Sequence, residues 1–237
     1  MYLNRHISCF VRTKTQRFMR KISKQLIYSG LIFCFFLLIG AYVLTAFSSI
    51  EFTLFLNSIH SPFLDHLFLW ITLLGDGSLI MVLSFLLLFK KYYYSLISII
   101  LLINSGLLAY IFKKMLFVNS MRPLFYLSVS EIHIPHGIHF YYKNAFPSGH
   151  AMTVFVVASL LIWIYQNHIL SYLSLLIAGL VCISRVYLLQ HFFIDVYFGA
   201  ILGVLETVLI IWLFETKLNW KSNSRLNSSL RRFIQNE

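Results

Sequence analysis

The chain is 237 residues long, 59% hydrophobic and only 11% charged, with a mean hydropathy of +0.79, values that exclude an ordinary soluble globular domain. Lysine and arginine outnumber aspartate and glutamate 19 to 8, but the excess gathers in the two tails and reads as a membrane-topology signal rather than a nucleic-acid surface. Cys9, Cys34 and Cys182 share no repeated spacing and support neither a disulfide framework nor a zinc site.

Residues 1–26 form a basic arm holding Arg5, Arg12, Lys14, Arg17, Arg20, Lys21 and Lys24. The apolar run 27–47 that follows exceeds a signal-peptide core and is not followed by a small-residue cleavage pattern, so it is expected to be a retained anchor helix. Residues 48–76 mix large apolar side chains with Glu51, His60, Asp65, His66 and Asp76, the pattern of an amphipathic segment lying in the interface. The runs 77–90 and 92–112 meet at Lys90-Lys91 and must form a tight helical hairpin. The stretch 113–147 is polar, contains Pro123 and Pro135, and is long for a connection inside a bundle, which marks it as a functional loop. Runs at 149–167, 169–189 and 195–214 complete a count of six spans, judged against the roughly 20 residues a helix needs to cross a bilayer. The fold class is therefore all-α, a membrane bundle of six helices over residues 27–216. A basic tail, 217–237, carries Lys217, Lys221, Arg225, Arg231 and Arg232, and its Ser/Asn-rich part, 222–229, is expected to be mobile.

Basic residues before the first span and after the last place both tails in the cytoplasm. With six spans and Lys90-Lys91 also inside, the 113–147 loop and the 190–194 turn fall together on the outer face. The polar motifs of the chain then share one side of the membrane.

Those motifs carry the chemistry. Asp195 follows His191 by four residues, so on a helix the two fall on one face; a carboxylate accepting the imidazole N–H fixes the tautomer and leaves the other nitrogen as a nucleophile. Arg185, six residues before His191, reaches the same ligand only if a helix ends between them, at a turn near Leu189 to Phe192. A guanidinium there forks onto phosphate oxygens, and Arg122 and Lys114 can neutralise charge that develops in a transition state. Pro147-Ser148-Gly149 precedes a span, so Ser148 can cap the helix while free N–H groups face an anion. His150, in the first turn, is placed to protonate a departing oxygen as general acid.

Pro147-Ser148-Gly149-His150, and Ser184-Arg185 with His191 and Asp195, make the chain resemble the type 2 phosphatidic acid phosphatase family, whose active-site architecture is shared with vanadium haloperoxidases. A first family motif, a lysine, six residues and Arg-Pro, is imperfect: seven residues separate Lys114 from Arg122-Pro123. The lysine stays open between Lys114 and Lys113, with Phe117 favouring Lys114. The resemblance covers about residues 70–210. It implies a six-helix bundle, a phosphohistidine on His191, acid catalysis by His150, phosphate binding by Lys114, Arg122, Ser148, Gly149 and Arg185, and no required metal or cofactor.

His133, His136 and His139 recur every three residues, but Pro135 and Gly137 break any helix that would align them on a metal; a headgroup is the other expectation for them. Glu206, in the middle of the last span, should be protonated or paired inside the bundle. The expected partners are a lipid phosphate and the bilayer, with no nucleic acid; size and simplicity suit a bacterial inner membrane. Oligomeric state stays open. The rival from another class is a non-catalytic lipid-phosphate binder or transporter using the same pocket.

Overall fold

The structure is a computed structural model describing residues 23–218 and 220–235; most of the amino-terminal basic arm, with Cys9, lies outside the described residues. Helix α1 (Lys24–Ala46) starts at Ser23, whose hydroxyl accepts the Leu26 N–H. A capping box of Ser48 and Glu51 opens α2 (Ser49–Ser58), and Ser61 with Pro62 in the first turn opens α3 (Pro62–Leu73). Asp76 caps α4 (Gly77–Leu88). The hairpin partner α5 (Tyr92–Ile111) continues into a π-helical turn, Phe112–Leu116. One helical turn, α6 (Pro123–Tyr126), interrupts the long loop. Then come α7 (Gly149–Tyr165), α8 (His168–Tyr187), α9 (Phe193–Trp212) and the short α10 (Leu230–Gln235). Among the described residues there is no named strand, only an isolated bridge between Met121 and Lys143.

Each of the six expected spans is a helix, but they are not equivalent. Four pass a length and hydropathy test for crossing a membrane: α1, α5 with its π turn, α8, and α9 with its own π turn to Lys217. Helices α3 and α4 pass only together, bent by 51° at their junction. Helix α7, at 17 residues, rises about 25 Å and falls short of a full crossing. It can do so because it is apolar all round and enclosed, the condition of a helix inside a bundle. Ile80, Ile97, Leu101 and Ile211 pack on one side of it around Val156 and Leu160, and Val181, Cys182, Val196 and Ala200 pack on the other around Ala151 and Phe155.

The contact between α7 and α9 is set by Gly199 and Gly203, one turn apart. A β-carbon on Gly203 would stand 2.5 Å from the Met152 carbonyl oxygen, so only a hydrogen there lets the two backbones meet, as in small-residue helix pairs within membranes. Peripheral α1 leaves Leu31, Phe35, Leu38 and Tyr42 exposed, spaced as one helical face that suits lipid contact. Glu206 is paired, as expected: it accepts Asn104 Nδ2 at 2.7 Å and is hydrogen-bonded to Ser105, which ties α9 to α5.

One end of the bundle gathers Lys90-Lys91, the α7–α8 turn and the carboxyl-terminal tail. The Ser/Asn-rich part of the tail is docked there, against expectation: Ser228 and Leu226 carbonyls accept the Tyr92 and Tyr93 N–H groups at 3.0 and 2.8 Å, and Lys91 donates to Asn227. These are backbone groups at the start of α5 that no helix partner serves, so even a polar tail is held. The opposite end gathers the α3–α4 bend, the 113–147 loop and the 188–192 turn.

Candidate active site

Helix α8 ends at Tyr187, and the chain reverses through Leu188 to Phe192, with Leu189 in the left-handed region at φ 56°. The Arg185 carbonyl accepts both the Gln190 N–H (3.0 Å) and the His191 N–H (3.2 Å). The helix break anticipated between Arg185 and His191 is therefore present, and it turns His191 back toward the residue six positions earlier. His191 is buried, and its Nδ1 lies 3.3 Å from Asp195 Oδ2. The same oxygen accepts the Phe192 N–H at 3.0 Å, a helix-start bond that fixes the carboxylate.

Ser148 caps α7, its hydroxyl receiving the Ala151 N–H at 3.5 Å, while its own N–H donates to the Asp195 carbonyl at 3.0 Å. The start of α7 is thereby pinned to the start of α9. His150 in the first turn of α7 packs against the α3–α4 bend: a β-carbon on Gly75 would come within 2.8 Å of both His150 Cβ and Val181 Cγ1. That bend requires glycine for steric reasons.

Two guanidinium groups converge from different elements. Arg122 donates from Nη1 to the Gln190 carbonyl at 2.9 Å and from Nε to the Lys143 carbonyl at 3.1 Å, with its guanidinium 5.2 Å from the Tyr141 ring centre. Arg185 donates from Nη1 to Thr72 Oγ1 at 2.8 Å. Arg185 is buried, and its Nε has no hydrogen-bond partner among the described residues, an arrangement that ordinarily calls for a ligand.

The two lysines between which the sequence leaves the choice open are placed differently. Lys113 Nζ lies 4.0 Å from the β-carbon position of Gly149, and it feels the charges of Arg122, Arg185 and Asp195; Lys114 is exposed. The reason is local. Phe117 N–H closes on the Phe112 carbonyl at 2.7 Å, an i→i+5 turn that absorbs an extra residue and shifts side-chain phase at the helix end. The linear gap to Arg122-Pro123 does not register that shift, and it is Lys113 that lies beside Gly149.

Burial lowers the His191 pKa well below its ordinary value, and Arg185, Arg122, Lys113 and His150 lower it further by charge. The imidazole is thus held neutral. The structure gathers His191, Asp195, His150, Ser148, Gly149, Arg185 and Arg122 at one end of the bundle, together with Lys113.

Sequence reasoning missed Thr72, Gln190 and Tyr141. Only Gln190, a polar residue beside His191, carried any local signal. The three loop histidines do not converge: His133 bonds to Asp65 (2.7 Å) and stacks on His60 (4.1 Å), whereas the His139 carbonyl accepts Gln190 Nε2. No group of three or more His, Cys, Asp or Glu able to hold a metal occurs among the described residues.

The residues of the candidate site all sit at one end of a bundle whose long apolar helices are of membrane-crossing length. The PAP2 superfamily profile matches residues 92–219, and the chain belongs to that superfamily. Among solved structures it is similar to a transmembrane PAP2-type phosphatidylglycerolphosphate phosphatase from Bacillus subtilis, at 26% identity over 80% of this chain and 96% of that one, with a TM-score of 0.60. It shares its fold with Aquifex aeolicus LpxE, at 24% identity over 68% of this chain and 93% of that one, also with a TM-score of 0.60. No curated protein matches the sequence.

Proposed function

We propose that this protein removes a terminal phosphate from a membrane lipid at the outer face of the bilayer, through a covalent phosphohistidine on His191. The observation that carries the reading is the buried His191–Asp195 pair within reach of three cations and the start of α7. With Nδ1–H donated to Asp195, the Nε2 lone pair attacks phosphorus. The bond from phosphorus to the leaving oxygen breaks, and His150 delivers a proton to that oxygen. Water then attacks the phosphorus while neutral His150 takes its proton, the Nε2–P bond breaks with its electron pair returning to His191, and inorganic phosphate departs. Lys113, Arg122 and Arg185 offset the charge that spreads over the equatorial oxygens, and the α7 start adds backbone donors.

Phosphatidic acid or phosphatidylglycerophosphate, isoprenoid diphosphates and the phosphates of lipid A are the candidate substrates; the similarity to the B. subtilis phosphatase favours a glycerophospholipid phosphate for the first trial. The test is purified protein in detergent with EDTA, given each lipid class while released phosphate is measured. Phosphate release that survives EDTA, with an acid-labile label trapped on the wild type and absent from His191→Ala, is expected. Lipid phosphate binding with neither label nor release would replace this reading with a non-catalytic binder.

A further inference from the structure

Helix α3 contributes nothing to the recognised motifs, yet it is bound to the active-site end of α8 at two points. Asp65 and Thr72 lie seven residues apart, two turns on one helical face. Buried Asp65 accepts the Tyr187 hydroxyl on Oδ1 at 2.5 Å, while Oδ2 is 2.7 Å from His133 Nε2. His133 is itself fixed, its N–H donating to Asn57 Oδ1 (2.9 Å) and its carbonyl accepting Asn57 Nδ2 (2.7 Å). Phe68, between the two polar positions, packs on the Tyr187 ring at 4.6 Å. At the other end, Thr72 Oγ1 accepts Arg185 Nη1 at 2.8 Å. That is the one side-chain hydrogen bond of Arg185 among the described residues, and the Nε edge of the guanidinium keeps no partner.

We propose that Thr72 is a positioning residue for Arg185, and that Asp65, clamped between Tyr187 and His133, holds α3 where Thr72 can do this. A planar guanidinium presents its donors in a fixed fork, so anchoring one corner sets the plane and aims the Nε edge at the anion. Without the anchor, a buried arginine pairs elsewhere or samples several rotamers. The inference rests on reading Arg185 as an anion ligand, and it assigns to α3 a role that no motif in the chain announces.

Orthovanadate, a phosphate-shaped anion, is the probe, with affinity measured in detergent by its stabilisation of the whole protein against heat. Wild type is expected to be stabilised. Thr72→Val should bind vanadate about tenfold or more weakly, the scale of one hydrogen bond to a charged group, while Thr72→Ser, which keeps the hydroxyl, should stay within about threefold of wild type on the same scale. Thr72→Ala substitutes if Thr72→Val does not fold. Asp65→Asn should weaken binding as well, and combined with Thr72→Val the two losses should fall short of multiplying, because both act through one guanidinium. Wild-type affinity in Thr72→Val, serine no better than valine, or fully multiplicative losses would each overturn the assignment. If wild type itself does not bind vanadate, the anion-site reading fails and this one falls with it.

Discussion

The protonation state of His191 follows from where its side chain sits. Burial and the surrounding cations lower the His191 pKa well below its ordinary value, so the neutral form, which the proposed mechanism uses, persists to lower pH than in a free histidine. Activity lost on acidification should therefore return as pH rises through that lowered value, so the acidic limb of kcat/KM should lie below about pH 6.5, where an ordinary histidine is half neutral. Arg122→Ala removes one of the charges that hold the value down, so the acidic limb should move upward. A limb already at or above the ordinary value in the wild type would contradict the buried, cation-flanked placement. The lysines offer a second check. Lys113→Ala should lower kcat/KM at least tenfold, on the scale of about 1.4 kcal/mol or more, whereas Lys114→Ala should stay within about twofold. The reverse order would favour Lys114, the choice that Phe117 suggests in the sequence.

Single elements owe their placement to a few close approaches. Helix α9 carries Asp195 at its start and meets α7 through Gly199 and Gly203, while the Asp195 carbonyl holds the Ser148 N–H. A side chain at Gly203 would have to push backbone from backbone, since the nearest atom is the Met152 carbonyl oxygen at 2.5 Å. Gly203→Ala should destabilise the protein by about 1–3 kcal/mol, the range for overpacking. Unfolding in detergent measures this, and phosphate release should fall in parallel because the α7 start and Asp195 separate together. A Gly203→Ala protein as stable as wild type would show that the bundle yields easily at this contact.

Across the whole molecule, the polar ends of the helices are sorted. Lys90, Lys91 and the docked tail occupy one end, and the residues of the candidate site occupy the other. Positive charge near span ends favours the cytoplasm, so cysteine introduced at Ser130, in the 113–147 loop, should react with a membrane-impermeant maleimide on intact cells. Cysteine at Ser224, in the tail, should react only after the membrane is opened. The opposite labelling would invert the proposed orientation and put phosphate release on the inner side.

Local rules settle much of this chain. The apolar runs are long enough to demand helices with their backbone groups paired internally, and they fall on α1, α4, α5, α7, α8 and α9. Ser148 at a helix start, the four-residue step from His191 to Asp195, and the break after Arg185 are also written in neighbouring residues, because caps and turns act over a few positions. What local spacing could not decide was anything that depends on phase or on distant approach. The π turn moved Lys113, rather than Lys114, against Gly149. Arg122 found the Gln190 carbonyl 68 positions away, and Arg185 found Thr72 113 positions away. Those partners are chosen by which buried donors and acceptors remain unpaired once the helices have packed, and that quantity exists only in three dimensions.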